Sequence, residues 1–108
     1  MSVTERLDNL LEMHGESPDD PFLWFALAKE YEKIGQEREA GIWYEKLVSD
    51  APDEIGTYYH YGKFLAAKGA HMKAGQILHL GKAKALKMRD QKALSELIQL
   101  IQEIEDDE

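Results

Sequence analysis

Apolar residues recur at helical spacing along most of the chain, and short breaks rich in Gly, Pro and Asp separate the apolar segments. Spacings of three, four and seven residues place side chains on one face of a helix. This pattern predicts an all-α protein with about six helices. The predicted ranges are 2–14, Pro21–Ile34, a helix that follows a turn at Gly35-Gln36 and reaches about Asp50, Glu54–Lys68, His71–Leu86 and Asp90–Glu105.

Local signals mark where several of these helices begin and end. Ser2 and Glu5 fit a capping box, in which each side chain satisfies a free backbone N–H. Asp20 is predicted to cap the second helix, with Pro21 at its first position. Gly35 and Gly69 stand where a helix should stop, because glycine adopts the left-handed conformation that a helix end often requires.

One stretch, from Trp24 to Pro52, organises the chain, and its pattern recurs in both directions. Its key positions are Trp24-x2-Leu27-Ala28-x2-Tyr31, then Ala40-x3-Tyr44, then Pro52. One period later come Tyr58, Tyr61, Gly62, Leu65, Ala74 and Leu78, and one period earlier come Leu10 and Pro18. This pattern resembles the tetratricopeptide repeat, whose signature has Trp, Leu-Gly, Tyr, Ala, Phe and Pro at these offsets with a period of about 34 residues.

The resemblance implies a short solenoid of antiparallel helix pairs, in one domain over 1–108. Its expected parts are an N-terminal half repeat (2–16), two repeats (21–52 and 54–87), a C-terminal capping helix (88–105) and an acidic tail (106–108). Small residues such as Ala28, Ala40, Gly62 and Ala74 would let helix backbones approach closely. An ordinary helical bundle with the same apolar spacing is the alternative.

The end of the second repeat departs from the pattern. Leu86 stands where a proline is usual, which suggests a weak break and a helix that runs on into the final segment. The final helix has a broad apolar stripe, which is typical of a cap over the exposed face of a last repeat. The alternative is that it pairs with a second chain through Leu97, Leu100, Ile101 and Ile104.

Composition narrows the possible functions. The chain of 108 residues has no cysteine, which excludes disulfides and thiolate metal sites, and its four histidines lack ligand spacing. Phosphate loops, HExxH and nucleophile elbows are absent from the sequence. The acidic pairs Asp19-Asp20 and Asp53-Glu54 are interpreted as residues at helix starts and not as paired catalytic carboxylates. With no apolar run of membrane length and no signal-peptide pattern, we expect a cytoplasmic protein that is not an enzyme and has no metal or cofactor.

Binding is the function that the resemblance implies, because the first helix of each repeat lines a concave groove for a peptide in this family. An aromatic residue followed one turn later by a lysine occurs at the same register in both helices, as Phe25 with Lys29 and Tyr59 with Lys63. The candidate groove residues are Phe22, Phe25, Lys29, Lys33, Tyr59, His60 and Lys63. The alternative interpretation is an amphipathic surface with lysines that extend along apolar neighbours into water.

The charge pattern makes an anionic partner plausible. The net charge is −8, yet residues 55–92 hold eight basic residues and one acid, which gives +7 there and −15 elsewhere. Some family members clamp a C-terminal carboxylate with Lys, Asn and Arg, whereas neither groove helix here has an Asn, so a different acidic ligand is expected. We therefore predict a protein-interaction adaptor, a monomer or weak homo-oligomer. A self-associating scaffold is the first alternative and a nucleic-acid accessory protein the second.

Overall fold

The computed structural model describes residues 3–106, with side chains from residue 5 onward, and these residues form six α-helices. The helices are α1 (Val3–Glu16), α2 (Pro21–Lys33), α3 (Glu37–Asp50), α4 (Gly56–Ala67), α5 (His71–Met88) and α6 (Gln91–Asp106). The predicted all-α class is confirmed. The predicted capping residue Ser2 and the last two residues of the acidic tail lie outside the described residues.

The chain divides into two compact units, Met1–Glu54 and Ile55–Glu108. In the first unit, α2 packs against α1 and α3. The packing side of α2 buries Trp24, Leu27 and Ala28, and that of α3 buries Ala40, Tyr44 and Leu47. Every one of these belongs to the apolar pattern of the first repeat, whereas Tyr31 is half-buried. The predicted register between the two helices of the first repeat is therefore confirmed for its central residues.

Ala40 gives a direct test of this register. Its side chain is fully buried, as is that of Tyr44 one turn later, so that a larger side chain has no free space. We expect Ala40→Leu to overpack the contact between α2 and α3 and to lower the free energy of unfolding by about 1–3 kcal/mol. Urea denaturation followed by circular dichroism measures the change, and an unaltered midpoint would contradict the register.

In the second unit, α4 and α5 pack through two glycines that each face a large side chain. A Cβ placed on Gly62 would lie 2.4 Å from Leu78 Cδ2, and a Cβ on Gly81 would lie 2.3 Å from Tyr58 Cβ. Tyr58, Tyr61, Leu65, Ala74 and Leu78 are buried here, together with Phe64, which the sequence pattern did not single out. The absence of a side chain at Gly62 and Gly81 thus sets how closely the two helices approach.

Helix α6 packs against α5 and α4 in the second unit and buries Leu97, Leu100 and Ile101. These are three of the four side chains that the alternative of pairing with a second chain would use. Their apolar area is already in contact with the chain's own helices, which favours the capping interpretation over that alternative. The fourth side chain, Ile104, is half-buried.

Helix ends follow the sequence signals at some boundaries and depart from them at two. Asp20 accepts a hydrogen bond from Phe22 N at 3.0 Å, and Gly35 and Gly69 have φ of 80° and 87°. However, α4 begins at Gly56 with Ile55 at its N-cap position, later than predicted, so Asp53-Glu54 are not its cap.

The expected continuous helix at the end of the second repeat is also wrong. Helix α5 runs past Leu86 to Met88 and then stops, because Arg89 adopts the left-handed conformation with φ 57°. Asp90 accepts a hydrogen bond from Ala93 N at 3.0 Å and so starts α6. A left-handed non-glycine residue and an aspartate cap here provide the break that proline provides elsewhere.

Candidate peptide-binding surfaces

The first candidate surface lies on α2 and consists of Phe22, Phe25, Lys29 and Lys33, which we call the α2 surface. Successive members stand three or four residues apart, so helical geometry places them along one side of the helix. Phe22 is 73% exposed and Lys33 is exposed, whereas Phe25 and Lys29 are half-buried. The first unit therefore brings its four predicted residues together as a strip of aromatic area and positive charge.

A buried tyrosine and a carboxylate adjoin this strip. Tyr44 Oη donates a 2.7 Å hydrogen bond to Glu32 Oε1, and Lys29 Nζ lies 3.6 Å from the same oxygen. Burial raises the pKa of the Tyr44 hydroxyl above its usual range, and the hydrogen bond to Glu32 and its charge raise that pKa further. The phenol therefore remains a donor that holds Glu32 beside Lys29. An anionic ligand at Lys29 has to compete with this carboxylate.

Another acid of α2, Glu30, is held in the interior of the first unit and was not identified from the sequence. Its side chain is 8% exposed, and Oε1 lies 3.0 Å from Arg6 Nε of α1. Among the described residues, its second oxygen has no hydrogen-bond partner. A carboxylate in such a position depends on its single cation. Arg6 and Glu30 are far apart in sequence, so no local signal could have paired them.

The second candidate surface lies on α4 and consists of Tyr59, His60 and Lys63, which we call the α4 surface. The rings of Tyr59 and His60 meet edge to face, with centroids 5.4 Å apart and planes at 83°. Lys63 Nζ is exposed and lies 5.9 Å from the centre of the Tyr59 ring. The second unit thus brings its three predicted residues together, and the tyrosine ring already attracts a cation.

A small pocket adjoins the α4 surface, and its acidic character was not predicted. Tyr59 lines it from α4, and the side chains from α6 are Glu96, Gln99, Leu100 and Glu103. The four α6 residues follow the spacing of one helix face, which the sequence does contain. What the sequence could not provide is the packing of that face beside Tyr59. The pocket, of about 90 Å³, is hereafter the Tyr59 pocket.

Some lysines of the basic second repeat lie over aromatic rings of α4. Lys68 Nζ is 5.2 Å from the centre of the Phe64 ring, and Lys73 Nζ is 5.7 Å from that of Tyr61. Lysine side chains commonly make such contacts, in which the carbon stem covers apolar area while the charged end stays in water. They favour the solvated-surface interpretation for these two lysines over a continuous phosphate-binding patch.

Within 5–106, no group of three or more His, Asp or Glu side chains could hold a metal ion. Among the six described helices, none has the length and apolar character needed to cross a membrane.

The chain is similar to several solved structures, although no family model and no curated protein matches it. The solution structure of a tetratricopeptide repeat domain protein from Salinibacter ruber is 36% identical, covering 84% of this chain and 92% of that one, with a TM-score of 0.80. A crystal structure of a tetratricopeptide repeat domain protein from the same organism is also 36% identical, covering 82% and 99%, with a TM-score of 0.76. A protein from Bordetella parapertussis shares the fold, with 24% identity, a TM-score of 0.81 and coverage of 94% and 88%.

Proposed function

Because the chain belongs to the tetratricopeptide repeat family, whose domains are in general protein-interaction modules, we propose that it is an adaptor that binds a peptide or an anionic protein segment. The contacts are made by the α2 surface and the α4 surface, on the first helix of each repeat, which is where this family's peptide groove lies. The observation that supports this proposal is the combination, on both surfaces, of a half-buried aromatic ring with a lysine one turn later.

The chemistry of each surface fits this role. Phe25 and Tyr59 offer apolar area at a low cost in conformational entropy, because an aromatic side chain has few rotatable bonds. Phe22 adds a ring that is 73% exposed. Lys29 and Lys63 supply positive charge beside the rings. The two lysines are not equivalent, since Lys29 is 3.6 Å from Glu32 whereas Lys63 lies over an uncharged ring. Lys29 therefore has an ion pair that an anionic ligand must displace, whereas no described residue forms one with Lys63.

We expect binding of a short acidic peptide in the micromolar range, about −8 kcal/mol. An exposed charge pair contributes about 0–1 kcal/mol, so the aromatic area carries much of the affinity. Lys29→Glu combined with Lys63→Glu should abolish binding through repulsion while far-UV circular dichroism stays unchanged. Lys63→Glu alone should weaken binding more than Lys29→Glu alone. Phe25→Ala should weaken it without altering its dependence on salt.

The measurement is a titration of a library of acidic peptides into ¹⁵N-labelled protein, followed by the amide shifts. Lys87→Glu with Lys92→Glu is the matched control, because both side chains are exposed and lie outside the two surfaces. This control changes the net charge by the same amount and should bind like the wild type. Shifts confined to Lys73, Lys82 and Lys84 of α5 would contradict the assignment to α2 and α4.

A further inference from the structure

The Tyr59 pocket has a composition that suits a cation, although the α4 surface beside it was expected to attract an anion. It brings one aromatic ring together with two carboxylates, those of Glu96 and Glu103. Glu96 and Glu103 are seven positions apart on α6, which places their Cα atoms about 10 Å apart along the helix and both side chains on one face. Both glutamates therefore line the pocket from the same face of α6.

The two carboxylates have their charges available. Among the described residues, neither Glu96 nor Glu103 takes part in an ion pair. Gln99 Nε2 lies 3.4 Å from Glu103 Oε1, which orients the glutamate without neutralising it. Both glutamates are exposed, so that a ligand does not have to displace a buried group to reach them.

The aromatic wall gives a second and independent indication. Tyr59 already has a lysine ammonium 5.9 Å from the centre of its ring, that of Lys63 on the same helix. The ring is thus oriented so that a cation can approach a face. Lys63 does not line the pocket, and its single charge opposes the two charges of Glu96 and Glu103. The pocket itself remains net negative.

The small volume of the Tyr59 pocket restricts the ligands that can enter it. A pocket of about 90 Å³ is well below the ~300–1,000 Å³ of sites that hold drug-sized ligands. It suits the end of one side chain, and Leu100, which is buried, offers contact for the apolar stem of such a side chain.

We propose that the Tyr59 pocket binds the side-chain cation of a lysine or arginine of the partner. The ammonium or guanidinium donates to the carboxylates of Glu96 and Glu103, and its positive charge lies against the Tyr59 ring. This inference rests on the proposed function, because it specifies the partner's chemistry at the edge of the α4 surface. The partner segment then carries a basic residue for this pocket beside the acidic residues that contact Lys63.

The first experiment uses the free side chain and does not depend on peptide binding. Nα-acetyl-lysine methylamide and its uncharged analogue Nα-acetyl-norleucine methylamide are titrated separately into the ¹⁵N-labelled protein. We expect the lysine compound to shift the amides of Tyr59, Leu100 and Glu103, with a dissociation constant on the order of millimolar. Equal shifts from the norleucine compound would overturn the proposal.

Variants then test the carboxylates. Glu96→Gln with Glu103→Gln should weaken binding of the lysine compound about fivefold to tenfold, because one cation–π contact remains while two charge contacts are lost. Glu12→Gln with Glu16→Gln on α1 is the matched control, which removes the same charge from exposed sites and should leave binding unchanged. Unchanged binding in the Glu96/Glu103 variant would overturn the proposal.

Lys63→Ala separates this inference from the proposed function. It should strengthen binding of the lysine compound, since a competing cation near Tyr59 is removed, and should weaken binding of an acidic peptide. If acidic peptides fail to bind while the lysine compound binds as described, the proposed binding of an acidic segment is wrong and the proposal for the Tyr59 pocket is supported. If acidic peptides bind and the lysine compound does not, the proposed function survives without this pocket.

Discussion

Replacing Gly81 with alanine is expected to lower the free energy of unfolding by about 3 kcal/mol, the upper part of the range for overpacked sites. The new Cβ would lie 2.3 Å from Tyr58 Cβ and 2.8 Å from Tyr58 Cγ. The Tyr58 Cβ cannot move away by a change of rotamer, because it is fixed to the backbone of α4. Helices α4 and α5 must therefore separate. The packing free energy lost in this way exceeds the gain of about 1 kcal/mol from the better helix propensity of alanine.

Three other glycines provide comparisons for this variant. Gly75 lies in the same helix, where an added Cβ would have no atom within 4 Å, and Gly41 in α3 is equally open. Gly75→Ala and Gly41→Ala should each stabilise the protein by roughly 0.5–1 kcal/mol. Gly62→Ala should destabilise less than Gly81→Ala, since its Cβ would meet the Leu78 side chain, which can change rotamer. Urea denaturation orders the four variants, and a stabilising Gly81→Ala would contradict the proposed α4–α5 contact.

The order of helices could be predicted from the sequence because the signals that determine it are local. Apolar spacing placed α2 at Pro21–Ile34 where the structure has Pro21–Lys33, and Asp20 caps it as expected. Gly35 and Gly69 end helices with positive φ, as their position indicated. At Arg89 the prediction failed, since a left-handed arginine has no strong sequence signal and no proline marks the break.

The two candidate surfaces could be predicted only in part. Residues one turn apart on one helix, such as Phe25 with Lys29 or Tyr59 with Lys63, follow from helical periodicity. Their electrostatic environment depends on other helices. Glu32 is three residues from Lys29 on the same helix, but its hydrogen bond from Tyr44 of α3 depends on tertiary packing, as does the position of Glu96 beside Tyr59. Such contacts between distant positions decide the sign of the local charge, and the sequence pattern does not contain them.

Arg6→Ala is expected to cost about 3 kcal/mol, although Arg6 itself is 61% exposed. The reason lies in its partner, because the Glu30 side chain is 8% exposed and its Oε2 has no hydrogen-bond partner among the described residues. Loss of one member of a buried pair leaves an uncompensated charge, which costs about 3–5 kcal/mol. Because Arg6 is exposed, water can replace part of its contact with Glu30. The expected cost of Arg6→Ala therefore lies at the lower end of this range.

The same reasoning predicts that a second substitution restores stability. Glu30→Met in the Arg6→Ala background removes the buried charge and keeps an unbranched side chain of similar length, so that most of the loss should be recovered. Arg38→Ala on α3 is the matched control, an exposed arginine whose removal should change stability little. A double-mutant cycle over Arg6 and Glu30 measures the coupling between them. A cost of Arg6→Ala no greater than that of Arg38→Ala would mean that Glu30 does not depend on Arg6, and that the attachment of α1 to α2 is apolar alone.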